Sequence, residues 1–158
     1  MKIVSTLTCA LTALVLSGSA GAGAASTPFK GVFTYSSALA ANPSPCPMVR
    51  VDSAGRGQAT YLGRFSISQS HCLNPQSPLA FTGGTLVATA ANGDLLYGTY
   101  GGAFVPTGAP GVFTVVGSFT ITGGTGRFAR ATGSGSASGE ATFAGGTIAL
   151  DGSIAVDR

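Results

Sequence analysis

Beyond residue 25 the chain alternates apolar and polar residues with a period of two, and no stretch sustains an apolar repeat of 3.6. That period puts every second side chain on one face of an extended strand, so it predicts an all-β fold with little helix. The clearest runs are Phe29-x-Gly31-x-Phe33-x-Tyr35, Tyr61-x-Gly63-x-Phe65-x-Ile67, Phe113 to Ile121 and Ile148 to Val156. Lys30, Thr34, Arg64, Ser66, Thr114 and Ser118 occupy the opposite face. Leu79 to Ala90 reads as a further strand, less clear in phase, and Tyr97 to Phe104 as another. Thr132 to Phe143 is almost entirely Gly, Ala, Ser and Thr, a composition that also fits a linker. Its Gly133, Gly135, Ala137, Gly139 and Ala141 share one parity, however, and Ser134, Ser136, Ser138, Glu140 and Thr142 the other. We read it as a strand of small residues.

Turn chemistry divides these strands. Asn92-Gly93 stands between Leu86-Val87-Ala88 and Leu95-Leu96-Tyr97, which predicts a type I′ hairpin with φ > 0 at both central residues. The Pro-rich stretch 42–47 and the segment Pro106 to Pro110 read as loops. Seven or eight strands joined this way fit either a β-sandwich or a closed antiparallel barrel. Gly31, Gly63, Gly117 and Gly152 interrupt the apolar faces of their own strands, and inner-face glycines let strands bend as a small barrel requires. The barrel is the expected architecture and the sandwich its alternative.

Composition narrows the function classes. With 44% hydrophobic and 8% charged residues, the chain lacks the low hydrophobicity and high charge of a disordered protein. Its basic residues beyond Lys2 are scattered, so no nucleic-acid surface is expected. A transmembrane barrel would carry large aliphatics toward lipid and aromatic girdles at its ends, whereas the face opposite the aromatics here is Ser, Thr, Lys and Arg. No membrane insertion of the mature domain is expected.

The N-terminus has the form of an export signal. Met1-Lys2 precedes an apolar run from Ile3 to Leu16, and Ala22-Gly23-Ala24 satisfies the small-x-small cleavage rule. The expected organisation is a cleaved signal peptide at 1–24 and one domain at 25–158, secreted to an extracellular location. Cys9 leaves with the signal, and Cys46 and Cys72 then meet an oxidising compartment. A disulfide between them would stabilise the fold by roughly 3 kcal/mol in the chain-entropy model. The alternatives are a reactive thiol or a metal pair, although beside His71 a zinc site still has no evident fourth ligand. No metal and no cofactor is expected.

Catalytic patterns are lacking. His71 is the single histidine, and with Cys72 as its neighbour it reads as a loop residue near the disulfide. Asp94 reads as a turn residue, Glu140 as solvent-facing, and no Gly-x-Ser-x-Gly elbow occurs in a strand-turn-helix context. The aromatics Tyr35, Tyr61, Phe65, Phe113 and Phe119 share the inner parity of their strands, with Tyr97 a further candidate. They read as core packing or as the lining of a cavity in which tyrosine hydroxyls orient a small apolar ligand.

The segment Ile121-Thr122-Gly123-Gly124-Thr125-Gly126-Arg127-Phe128-Ala129-Arg130-Ala131-Thr132-Gly133 resembles the Gly-Gly-Thr-Gly, aromatic, Ala, Gly stretch of plant dirigent proteins and allene oxide cyclases. Gly57-Gln58-Ala59-Thr60-Tyr61-Leu62-Gly63-Arg64-Phe65, with Asn92-Gly93-Asp94, looks like small secreted bacterial proteins of the allene-oxide-cyclase-like class. The resemblance implies a calycin-like, eight-stranded antiparallel barrel with a central cavity, often trimeric in the plant relatives. It also implies either steering of a reactive small molecule or cyclisation of a lipid epoxide by confinement. It transfers no catalytic residue, because the polar cavity positions of those families find no counterpart here. Gly123, Gly124 and Gly126 read as a tight connection with Phe128 packed beneath it. The alternative, a phosphate cradle, would need a following helix.

Three functional expectations stand together. The first is a barrel that binds or steers a small hydrophobic molecule without covalent catalysis of its own. The second is an isomerase or cyclase acting by confinement, and the third a filled barrel whose outer surface interacts. The residues leave the oligomeric state open.

Overall fold

The computed structural model describes residues 25–41, 46, 49–74 and 79–156. The expected export signal at 1–24 and all of the Pro-rich stretch except Cys46 lie outside the described residues. Eight antiparallel strands follow one another around a closed barrel. They are β1 (Thr27–Ala41), β2 (Val49–Ala59), β3 (Gly63–Leu73), β4 (Leu79–Thr89), β5 (Leu95–Pro106), β6 (Phe113–Gly124), β7 (Thr132–Thr142) and β8 (Gly145–Ala155). Pairing of β8 with β1 closes the sheet, leaving no free edge. A short 3₁₀ turn, Gly126–Phe128, is the one helical element among the described residues.

The inner wall alternates large and small residues around the barrel as well as along each strand. Phe33 of β1 lies opposite Gly57 of β2, which lies opposite Phe65 of β3. Phe119 of β6 is followed around the wall by Gly135, Gly152 and Phe29. The aromatic rings meet edge to face over these glycines, with centroids 6.2 Å apart for Phe33–Phe65 and 5.8 Å for Phe29–Phe119. A Cβ on Gly135 would stand 2.7 Å from Cζ of Phe119, so the missing side chain is the space the ring occupies. Eight strands leave an interior that side chains nearly fill, and the glycines of β2, and of β7 with β8, make thin places in the wall between aromatic-bearing strands.

β2 was not legible as a strand. Its inward residues are Val51, Ser53, Gly55, Gly57 and Ala59, of which only Val51 is a sizeable hydrophobe. The strand expected to begin at Tyr61 instead begins at Gly63. Tyr61 (φ 68°) and Leu62 form the β2–β3 turn, and Leu62 folds back into the core. The Asn92-Gly93 hairpin also differs from the expected type I′. Gly93 has φ 90° but Asn92 does not have positive φ. The Gly93 N–H donates to Ala90 C=O and the Ala90 N–H to Asp94 C=O, a three-residue loop ending in a left-handed glycine.

The two ends of the barrel differ. At the end holding the β2–β3, β4–β5 and β6–β7 connections, Phe128, Leu62 and Ile154 are the largest fully buried side chains and fill the lumen. At the other end the β5–β6 and β7–β8 connections leave Leu39 and Phe143 about half exposed. There the Cys46–Cys72 disulfide, Cα–Cα 5.3 Å, ties the β1–β2 connection to the end of β3.

Candidate functional site

A cavity of about 90 Å³ occupies the lumen between the filled end and the half-open one. One buried water position needs roughly 10–15 Å³ on this measure, so the space suits a single small ring or a short chain. Its wall is almost wholly apolar, with Phe33, Phe65, Phe119, Ile67, Ile148 and Leu150 among the residues that form it. The polar side chains on the wall include Tyr35, Ser37, Gln69, His71 and Tyr100. An apolar chamber with a few convergent polar groups is the common form of a small-molecule site.

Of the six aromatics singled out in the sequence, Tyr35, Phe65 and Phe119 line this cavity. Phe113 is buried near the half-open end but stands outside the cavity wall, its ring 6.0 Å from Phe104 and 5.0 Å from Phe143. Tyr61 belongs to the filled end, where its hydroxyl and Thr27 Oγ1 are 2.5 Å apart. Tyr97 does not face inward. It is 37% exposed, because β5 alternates without a break and turns Leu96, Gly98 and Tyr100 to the lumen and Tyr97 to the outside.

The glycine stretch is a structural connection at the filled end. Gly123 and Gly126 have φ of 136° and 53°, and Phe128, completely buried, lies under the 3₁₀ turn. Asp94 from the β4–β5 loop accepts the Arg127 backbone N–H and forms a 3.8 Å ion pair with its guanidinium. No helix long enough to hold an anion follows it. Glu140 is exposed, and no group of three potential metal ligands occurs among the described residues.

His71 overturns its reading as a loop residue. It continues the inward phase of Phe65, Ile67 and Gln69 on β3 and is 6% exposed. Its Nδ1 lies 2.8 Å from the Tyr100 hydroxyl, and its ring packs against Phe81 with centroids 5.0 Å apart. The contact with Tyr100 spans β4, which separates the two strands carrying the pair. What lets Tyr100 reach is a bulge in β4 between Phe81 and Gly84. Gly84 has no side chain there, and a Cβ would stand 2.8 Å from the tyrosine ring. Period-two phasing from Phe65 was the signal that could have placed His71 inside, but the adjacent cysteine and the polar run Ser66 to Ser70 obscured it.

Burial sets the protonation of this pair. Desolvation lowers the His71 pKa to about 4, with Asp52 on the neighbouring strand acting weakly in the opposite sense, so the ring is neutral near pH 7. Burial raises the pKa of Tyr100, as it does that of Tyr35, and both keep their phenolic protons. On the outer face, Ser70 and Arg50 (Nε at 2.9 Å) hold Asp52 below the ordinary carboxylate range. The buried Nε2 of His71 has no hydrogen-bond partner among the described residues. A buried unsatisfied polar group of this kind costs about 1–3 kcal/mol, so the arrangement is not one that packing alone would favour.

Comparison of the chain with family models, with curated proteins and with solved structures matches nothing.

Proposed function

We propose that this protein binds a small, mainly apolar molecule inside its barrel and holds or steers it without covalent chemistry of its own. The observation that carries this reading is the apolar cavity, lined from all eight strands and left half-open at one end only. A barrel serving packing alone would have little reason to leave this space beside half-exposed Leu39 and Phe143. At about 90 Å³ the chamber suits a compact ligand, and a long acyl chain would have to extend through the mouth. The resemblance of 121–133 to dirigent proteins and allene oxide cyclases belongs to the same proposal. So does secretion, for which the Cys46–Cys72 disulfide and the signal-like N-terminus are the support.

The test is titration of the purified, disulfide-bonded protein with toluene, followed by methyl NMR. Saturable shifts at Ile67, Ile148 and Leu150 are expected. Ala137→Leu, which adds bulk to the cavity wall, should abolish them while leaving the β-sheet circular dichroism intact. Toluene-induced shifts confined to outward Val32 and Val116 would sink the reading and move the search to the outer surface.

A further inference from the structure

We propose that His71 is the polar anchor of the cavity, donating from Nε2 to an acceptor oxygen on an otherwise apolar ligand, with Tyr100 as the positioning residue that selects the donating tautomer. The inference rests on the cavity reading and names the ligand class: a compact apolar carbonyl compound or ether.

The hydrogen-bond inventory of the pair decides the tautomer. A neutral imidazole carries one N–H and one bare nitrogen, and a protonated phenol has one hydrogen to donate. If Nδ1–H donates to the Tyr100 oxygen, two groups are left over: the phenolic hydrogen and the bare Nε2. If Tyr100 donates to a bare Nδ1, a single group is left over, the Nε2–H. The second arrangement satisfies more of the buried polar groups, and its remaining need is an acceptor.

Two features of the backbone indicate that the pair is built rather than incidental. A single bulge in β4, which shifts its register against both β3 (between Ser70 and Cys72) and β5 (between Phe81 and Gly84), lies between the two residues. Bulges commonly re-aim side chains beside functional sites. In addition, Gly84 opens the path by which Tyr100 crosses β4. The imidazole belongs to the wall of the cavity and is enclosed by Phe81, Phe104 and Tyr100, an apolar surround in which one hydrogen bond discriminates strongly between ligands.

The experiment compares two isosteric probes, cyclohexanone and methylenecyclohexane, which differ in a carbonyl oxygen against a methylene. Affinities for the wild-type protein are read by methyl NMR titration, and the His71 nitrogens by ¹⁵N NMR. Cyclohexanone should bind about tenfold tighter than methylenecyclohexane. The ¹⁵N spectrum should show a protonated Nε2 that shifts when cyclohexanone, but not methylenecyclohexane, is added. His71→Phe should equalise the two affinities, and Tyr100→Phe should populate both tautomers and reduce the preference several-fold. Equal affinities in the wild type, or a protonated Nδ1, would overturn the anchor while leaving the cavity reading in place. Failure of both probes to enter the lumen would remove the cavity reading and the anchor with it. The wild-type titration and spectrum decide the matter even if His71→Phe does not fold.

Discussion

The two ends of this barrel are built from the same eight strands, yet one is packed solid and the other holds space. At the filled end, Phe128 and Leu62 come from connections rather than strands and enter the lumen from below, joined by Ile154 of β8. At the half-open end, Leu39 and Phe143 stay partly in solvent, and the lumen beneath them carries His71, Tyr100 and Tyr35. The contrast teaches that strands make the wall of a small barrel whereas the connections decide whether the interior is core or cavity. Stability and binding are thereby separated along the barrel axis, the first concentrated where loops fold in and the second where they do not.

That separation predicts unequal costs for equal substitutions. Phe128→Ala should lose about 4 kcal/mol in chemical denaturation, since it removes a completely buried ring with no room to collapse. Phe143→Ala, at 49% exposure, should lose less than about 1 kcal/mol, and similar losses for the two would break the comparison. Reduction of Cys46–Cys72, which closes a separation of 26 residues, should cost about 3 kcal/mol. Most of the accompanying increase in hydrogen exchange should fall at the half-open end, near Leu73 and Val49.

Acid should act on the half-open end through His71. The unfolded chain takes up a proton near pH 6.5 but the folded ring does not until about pH 4, so the folded state binds fewer protons in between. Stability is therefore complete above about pH 6.5, falls as the pH drops through that window and levels off below about 4, a loss of up to about 3 kcal/mol. Denaturation curves of His71→Gln across this range should lack that slope; an unchanged slope would mean that other groups govern the acid response. A small effect is also expected at the filled end. Tyr61→Phe should cost about 1 kcal/mol by removing the hydroxyl contact with Thr27, measured by thermal denaturation.

The legible parts of this chain were those whose chemistry repeats locally. Phe113 to Ile121 and Ile148 to Val156 announce strands because large apolar residues recur at every second position. Even β7 could be read, since its glycines and alanines keep one parity and its hydroxyl residues the other. β2 escaped because inward Ser53, Gly55 and Gly57 look no more buried than outward Ala54, Arg56 and Gln58. Their smallness answers to Phe33 and Phe65 on the adjoining strands, information that β2 does not contain. Within the site, Tyr35, Phe65 and Phe119 were reachable by parity, whereas Tyr97 stands on the outward parity of β5 and His71 was taken for a companion of the disulfide.

Alternation, turn residues and inner-face glycine by themselves determined an all-β chain suited to barrel closure, because each acts through the local backbone: two-residue periodicity, positive φ and freedom to bend. The order of neighbours around the barrel, the end that Phe128 fills, and the meeting of His71 with Tyr100 across β4 were decided only by tertiary structure. Those properties depend on register between strands and on bulges that reset it. A shift of one residue would exchange the lumen for the solvent face, and the space left inside is a remainder of packing among distant residues that no local pattern encodes.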